Sequence, residues 1–252
     1  MKKYANRFAT PDAVSGYENA EYAPDGYAAL IWGLQKPFLH GIFEARHKGV
    51  GSCRLLDFAC GTGRVLGFCE EFCSVSDGLD ISSAMIAKAE ARCRQSRLVV
   101  GDICTEAILL EQPYDVITAF RFLLNAEPPL RVAVLEQLRK RIHSEHGILI
   151  VNMHGNSASA RRFPLCLRRF RARVDPAKHQ EVMMAEMSLA ETRVLLRNAG
   201  FRVIREIGFG VVPGFLYRSM LKPICHWLDG RLCGSNFFKS ISTDVIFVCA
   251  PI

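Results

Sequence analysis

A glycine-rich turn after a buried apolar run is the strongest chemical signal in the sequence. Residues 55–64 read Leu-Leu-Asp-Phe-Ala-Cys-Gly-Thr-Gly-Arg. Glycines at a strand-to-helix turn let the backbone approach a ligand closely, and the free amides at the helix start bind polar groups. A dinucleotide fingerprint counted from Gly61 would need a third glycine where the chain has Leu66. The turn therefore predicts a ligand site but disfavours a nicotinamide cofactor.

Carboxylates follow the next two predicted strands, where they could bind the sugar and the base of a nucleoside. Asp80 ends the second strand within Gly-Leu-Asp-Ile-Ser, and a carboxylate there can accept hydrogen bonds from both ribose hydroxyls. Asp102 follows the third strand and could accept from an adenine amino group. The fourth strand ends at Phe120 and opens toward the same ligand. All these groups lie at strand carboxyl ends, where open α/β sheets bind their ligands.

Strand and helix patterns alternate along the chain and place these motifs in a sheet. Strand-like patterns predict strands at 54–59, 75–80, 97–100, 114–120, 146–153, 201–209 and 244–249. Helical spacing and capping residues predict helices at about 25–47, up to 72, from 82, at 128–142 and at 188–200. This alternation favours an α/β fold, a doubly wound and mostly parallel seven-stranded sheet with helices on both faces.

The remaining segments predict two units and two inserts. Residues 1–50 carry eight aromatic side chains in the first 43 positions and are interpreted as an N-terminal helical cap or lid. Residues 51–252 would form the α/β domain, with inserts after the fifth and sixth strands at about 154–187 and 210–240. Because both inserts leave the carboxyl ends of strands, we expect them to roof the ligand site together with the cap.

Taken together, the motifs resemble the class I (Rossmann-like) S-adenosylmethionine-dependent methyltransferase family. The resemblance rests on the glycine turn, the Gly-x-Asp-x-Ser at Asp80 and the Gly-Asp at Asp102, and it is close over about residues 54–153. Over the sheet to residue 250 it is loose. Ala59 departs from the family pattern, which usually has a glycine there. The resemblance implies S-adenosylmethionine as the cofactor and S-adenosylhomocysteine as its product.

The resemblance also implies roles for individual residues. The glycine turn would line the methionine half of the cofactor, the second strand end would hold the ribose, and the third would hold the adenine edge. The fourth strand end would lie beside the sulfonium. Apart from the resemblance, Tyr17, Tyr22 and Tyr27 could form a lid, with ordinary packing as the alternative. For Met85 the alternative role is packing in the core, and for Asp57 it is stabilisation of the turn. The predicted cofactor-binding residues are Asp57, Ala59, Gly61, Gly63, Asp80, Ile81, Met85, Asp102, Ile103, Phe120 and Tyr22.

Two residues are candidates for contact with the methyl acceptor. His154 directly follows the fifth strand and could act as a general base, which an oxygen acceptor needs and an amine does not always need. A surface histidine without such a role is the alternative interpretation. Arg121 follows Phe120 and could meet the acceptor, or could instead be solvated or paired in a salt bridge. The protein's main task would be to align the acceptor with the sulfonium methyl group and to exclude water.

Charge and cysteine usage restrict the environment and the partners. The net charge is +7, and residues 161–173 contain six arginines without an acid. A solvated helix face explains such a cluster, while an anionic acceptor, an anionic membrane surface or, less readily, nucleic acid would also fit.

Ten cysteines without a Cys-x-x-Cys pair or zinc spacing indicate reduced thiols and no metal site. With no signal-like start and no long apolar run, the sequence predicts a cytoplasmic protein.

Three functions are compatible with these observations. Methylation of a small-molecule or glycan-like acceptor on oxygen or nitrogen is favoured, because the inserts could build a dedicated pocket. A non-catalytic cofactor-binding scaffold of the same fold is a second possibility, which the intact motif residues argue against. An RNA methyltransferase is a third, although residues 119–122 read Ala-Phe-Arg-Phe in place of an Asn/Asp-Pro-Pro-Tyr/Phe motif. The acceptor and the oligomeric state are not encoded in any recognisable pattern.

Overall fold

The computed structural model describes residues 4, 8–21, 23, 26–50, 53–159, 186–214, 216–218 and 220–252. Helices in these ranges lie close to the predicted positions, with an additional N-terminal helix and another in the second insert. The α-helices are α1 (Pro11–Glu21), α2 (Tyr27–Val50), α3 (Leu66–Cys69), α4 (Ser83–Ala89), α5 (Pro128–Arg141), α6 (Leu189–Asn198) and α7 (Lys222–Leu232). Short 3₁₀ helices cover Glu70–Phe72 and Leu216–Arg218.

Seven strands form one mostly parallel sheet, as predicted. They are β1 (Arg54–Phe58), β2 (Val75–Asp80), β3 (Arg97–Val100), β4 (Val116–Ala119), β5 (Ile148–Met153), β6 (Phe201–Phe209) and β7 (Asp244–Pro251). Their order in the sheet is β3-β2-β1-β4-β5-β7-β6. Strands β1 to β5 pair in parallel, whereas β7 runs antiparallel to both of its neighbours. Strand β6 therefore runs in the same direction as β5.

Helices cover both faces of the sheet and form two apolar cores. On one face, α2 contributes Ile31, Trp32, Leu39 and Phe43 to a core shared with α3, α4 and the sheet. On the other face, side chains of α5 and α6 pack against the sheet. The long helix α2 is thus a structural layer of the sheet, although the sequence placed it in the N-terminal cap.

Local capping residues define where two helices begin. The Ser82 side chain accepts a hydrogen bond from the Met85 amide at 3.2 Å and begins α4 immediately after β2. At α6 the predicted capping box is present, because the Ser188 and Glu191 side chains bind each other's backbone amides. Both caps satisfy amides that lack partners within the helix.

The carboxyl edge of the parallel strands is where the long connections meet. The segment after β5 is tied to the second insert by Asn156, whose Nδ2 donates to the Ser240 and Ser242 carbonyls at 2.8 and 2.9 Å. Helix α2 reaches the same edge through Gln35, whose Nε2 donates to Asp244 Oδ1 at 3.1 Å. None of the described helices combines the length and hydropathy needed to cross a membrane.

Candidate active site

The turn after β1 follows a path that only small residues take readily. Ala59, Gly61 and Gly63 have φ angles of +53°, +55° and +76°, in the left-handed region. A Cβ atom at Gly63 would lie 2.6 Å from Cys93 Sγ, so this position requires glycine. At Gly61 the nearest atom to such a Cβ is Met85 Sδ, 3.9 Å away. These three left-handed residues turn the backbone at the carboxyl edge, next to the side chain of Met85.

Asp80 joins the glycine turn to the end of β2. Its Oδ2 accepts from the Gly61 amide at 2.8 Å, and its Oδ1 accepts from the Ser82 amide at 2.9 Å. The pKa of this carboxyl is raised by burial, although the backbone amides of Ser82, Gly61 and Ile81 partly counteract the shift. A carboxylate has about four lone-pair sites in all, so Asp80 can accept a further hydrogen bond beside those from the backbone amides.

Asp57 lies deeper, at the carboxyl end of β1. The Thr118 hydroxyl of neighbouring β4 donates to Asp57 Oδ1 at 2.6 Å, while Oδ2 is buried and meets no hydrogen-bond donor of ordinary geometry in the part of the chain that the structure describes. Burial raises the pKa of Asp57 to about 7, opposed by the Thr118 hydroxyl and the nearby Leu66 amide. A buried acceptor without a partner is costly in free energy, and a donor from a ligand would relieve that cost.

Comparisons with known proteins agree on one family. The family model for a methyltransferase domain matches residues 56–148, which run from β1 to the start of β5. No curated protein matches the sequence.

Solved structures extend the fold similarity over the whole chain. The magnesium protoporphyrin IX methyltransferase of Synechocystis PCC 6803, with bound S-adenosylhomocysteine, has a TM-score of 0.62 at 12% identity, covering 98% of this chain and 97% of its own. A TehB-like methyltransferase from Corynebacterium glutamicum has a TM-score of 0.56 at 14% identity, covering 96% and 100%. The plantazolicin methyltransferase BpumL has a TM-score of 0.59 at 17% identity, covering 98% and 93%. The chain therefore contains a methyltransferase domain, and its fold is that of the class I S-adenosylmethionine-dependent methyltransferases.

The polar groups of the methyltransferase fit S-adenosylmethionine. Asp80 keeps acceptor capacity beyond its backbone amide donors, which suits donation from a ribose hydroxyl. Near Asp57, a buried carboxyl with a partnerless oxygen suits the positively charged, hydrogen-bond-donating methionine end. The backbone path at Gly61 leaves room for close approach of a ligand. When bound, the cofactor supplies an electrophilic methyl group, and the protein's contribution is to bind and orient it.

The predicted adenine side is assembled around Asp80 and Met85. The Gly101 amide donates to the Asp80 carbonyl at 3.0 Å, which brings Asp102 beside the end of β2. Asp102 is half-buried, and its Oδ1 accepts from the Cys104 amide at 2.9 Å. Ile103 and Met85 are buried, with 2% and 3% exposure. Burial to this degree is what packing in the core would give for Met85. Only a small part of each side chain is left accessible for contact with a ligand.

The predicted acceptor side lies at the ends of β4 and β5. Phe120 is half-buried and makes an edge contact with Trp32 of α2, with ring centroids 6.3 Å apart. The next residue, Arg121, has a left-handed φ of +55°, a conformation that strains a non-glycine residue and often marks a functional position. His154 is half-buried directly after β5, with its Nδ1 atom buried. The structure thus places the two candidates on neighbouring strand ends.

N-terminal residues lie against this edge at two points. The Ser82 hydroxyl donates to the Phe8 carbonyl at 2.5 Å, close to Asp80. Further along the edge, the Tyr4 amide donates to Glu127 Oε1 at 3.0 Å, and the Tyr4 ring packs on Phe122 with centroids 5.4 Å apart. Of the other predicted residues, Tyr22 and the arginine cluster at 161–173 lie outside the described residues.

Three residues of the site were not predicted. Thr118 binds Asp57, and a threonine in a buried strand gives no sign of that contact in the sequence. Arg92 Nη1 donates to the Thr62 carbonyl and hydroxyl at 2.7 and 2.8 Å and fixes the glycine turn from outside. Its Nη2 donates to Glu18 Oε1 of α1 at 3.2 Å. Trp32 faces Phe120 from α2, and the sequence marked it only as one of the aromatic residues of the predicted cap.

Proposed function

We propose that this enzyme transfers a methyl group to an oxygen or nitrogen atom of a small-molecule or glycan-like acceptor. The observation that carries the proposal is the closure of the carboxyl edge by segments from three parts of the chain. Asn156 ties the segment after β5 to the second insert, and Tyr27 of α2 packs on Tyr217 of that insert with ring centroids 5.5 Å apart. A site covered in this way suits an acceptor that enters whole better than a polymer that must remain extended.

The second insert is held rigidly enough to form part of a pocket. Asp229 of α7 is fully buried, and its Oδ1 accepts from the Val211 and Val212 amides at 2.8 and 2.9 Å. The Tyr217 hydroxyl donates to the other Asp229 oxygen. These bonds fix the insert to the end of β6, because a buried carboxylate with three donors is strongly oriented. An acceptor pocket needs such a preorganised wall.

Within this proposal His154 is the residue that removes or receives the acceptor proton. It is half-buried at the end of β5, the strand next to β4, which carries Phe120 and Arg121. Arg121 would bind an anionic or polar group of the acceptor, and Phe120 with Trp32 would line the apolar part. Nine free cysteines among the described residues support the further proposal of a reducing, cytoplasmic location.

A transfer assay with labelled S-adenosylmethionine tests the proposal. Purified protein is incubated with pools of small hydroxylated, amino and glycosylated metabolites, and separately with total RNA. We expect label in the small-molecule fraction, and at least a hundredfold lower rate for His154→Ala at unchanged cofactor affinity. His40→Ala, on the exposed side of α2, is the matched control and should keep the full rate. Label recovered in RNA, or calorimetry showing no binding of S-adenosylmethionine, would refute the proposal.

A further inference from the structure

Exposed apolar side chains are concentrated on one helix of the second insert. Helix α7 buries Cys225 and Asp229 against the protein and turns its opposite side to solvent. On that opposite side, and in the turn before it, large hydrophobic residues are 49–99% exposed. We call these residues the α7 apolar face, and they are Met220, Leu221, Ile224 and Trp227. Scattered exposed hydrophobic residues need no explanation, but four within eight positions mark an interaction site.

The charges around this face have a single sign. Between residues 210 and 243 the sequence contains one acid, Asp229, and that residue is fully buried. Helix α7 itself carries two basic residues, Lys222 at its start and Arg231 in its last turn. Arg231 lies over the Trp227 ring, 5.6 Å from its centroid, so a cation borders the most exposed aromatic ring of the helix. The helix is therefore apolar in the centre of its outer side, basic at its flanks and without an exposed acid.

We propose that α7 docks the enzyme on an anionic lipid surface. An interfacial helix needs an apolar face that enters the boundary between headgroups and acyl chains, with basic residues beside it for anionic headgroups. Tryptophan favours this boundary, because its ring is apolar with one polar edge. No described helix can span a bilayer, so the contact would be peripheral. The interaction is independent of the acceptor proposed above.

The position of α7 gives this docking a consequence for the site. The helix belongs to the insert that leaves β6 at the carboxyl edge, where Asp229 and Tyr217 hold it against the chain. Docking through its outer side would bring the carboxyl edge near the lipid surface.

Vesicle binding by the full-length protein tests the proposal, with tryptophan emission as a built-in reporter. The chain has two tryptophans, and Trp32 is 9% exposed whereas Trp227 is 59% exposed. We expect co-sedimentation with phosphatidylcholine vesicles containing about 30% phosphatidylglycerol and a blue shift of the emission that Trp227→Phe removes. Met220→Ser with Ile224→Ser should weaken partitioning at least tenfold, since two apolar side chains would no longer be buried. Lys222→Gln with Arg231→Gln should weaken it about tenfold or more at low salt.

Control variants separate this face from other surfaces. Val132→Ser with Val194→Ser removes two exposed apolar side chains from α5 and α6 and should leave vesicle binding unchanged. Absence of binding at low salt would overturn the proposal. Binding that survives the α7 variants but is lost when the arginines at 161–173 are replaced would also overturn it, in favour of that cluster. Emission from Trp227 that is already blue-shifted without vesicles would show that the face is covered by protein.

Discussion

At the scale of single residues, the carboxyl of Asp80 is oriented by the backbone amides of Gly61 and Ser82 before any ligand binds. Replacing it with alanine should weaken S-adenosylhomocysteine binding at least tenfold, since two charge-assisted hydrogen bonds, each worth about 1.5–3 kcal/mol, would be lost. Isothermal titration calorimetry measures the change.

The matched control for this prediction is Asp77→Asn in the same strand. Asp77 accepts from the Tyr114 hydroxyl at 2.5 Å and from Arg97 Nε at 2.7 Å, three residues before the carboxyl edge. Its replacement should lower stability while the folded protein keeps its cofactor affinity. Unchanged affinity in a folded Asp80→Ala protein would rule out the ribose contact.

Asp57 should make the stability of the fold depend on pH. Its pKa is about 7 in the folded protein, above the ordinary value of 3.8 that applies when the chain is unfolded. Between these values the folded state holds a proton that the unfolded state has released, so stability falls as pH rises from about 4 to about 7 and then levels. The slope from this group is at most about 1.4 kcal/mol per pH unit.

Asp57→Asn isolates this dependence, because an asparagine oxygen can still accept from Thr118. Denaturation with urea at pH values from 4 to 8 would give the free energy of unfolding of both proteins. We expect the variant's free energy of unfolding to gain on that of the wild type as pH rises through this window. A constant difference across the window would mean that Asp57 titrates normally.

Ala59 is a residue whose conformation is more costly than its sequence suggests. Its φ of +53° places the Cβ atom close to the following carbonyl, a strain of roughly 1–2 kcal/mol that glycine lacks. Ala59→Gly should therefore stabilise the protein, after allowance for glycine's larger entropy in the unfolded chain, by about 0.5–1 kcal/mol. Ala133→Gly within α5 is the opposite control, because there the same change should destabilise by a similar amount. Chemical denaturation that ranks both variants below the wild type would contradict the strain.

At the scale of elements, α1 is linked to the glycine turn through Arg92. Val14 is fully buried, and Glu18 binds Arg92, which in turn holds Thr62. Deleting residues 1–24 removes α1 together with the contact between Phe8 and Ser82 but leaves α2 and the sheet. We expect turnover to be lost while circular dichroism still reports the folded sheet, because methyl transfer requires exclusion of water. Full turnover by the truncated protein would show that this segment is not a lid.

The elements themselves were largely predictable from sequence, since parallel strands are buried on both faces. Apolar runs marked strands such as β4 and β5, whereas β2 reads Val-Ser-Asp-Gly-Leu-Asp. The predicted bounds of β2, β3 and β6 agree with the structure. The insertion of β7 between β5 and β6 had no sequence signal, because strand order depends on packing across the whole sheet. For the same reason the sequence revealed the motif at Asp80 but not the contacts that Thr118 and Arg92 make over long separations.

At the scale of the whole molecule, the sheet separates two chemically different edges. The carboxyl edge holds the glycine turn and Asp80. At the amino edge, Asp115 accepts from the Arg54 amide at 2.8 Å and bonds to His146 Nε2 at 2.9 Å. Nearby, the Cys53 and Cys73 thiols are hydrogen-bonded with their sulfur atoms 3.3 Å apart. Parallel strands create this division, because every strand from β1 to β5 ends on the same side.

This division predicts where cofactor binding will be felt. Hydrogen exchange measured with and without S-adenosylhomocysteine should show protection in residues 59–65, 80–85 and 101–104, which follow the first three strands, and in α1 above them. The turn at 143–147 and the start of β2 at 73–75 lie at the amino edge and should exchange at unchanged rates. A ligand that orders only the edge it touches makes local opening of the backbone rarer at that edge and does not change local opening at the opposite edge. If the ligand slowed exchange equally at both edges, its effect would come from the global stability of the fold. If the three turns were protected but α1 was not, the N-terminal helix would not belong to the cofactor site.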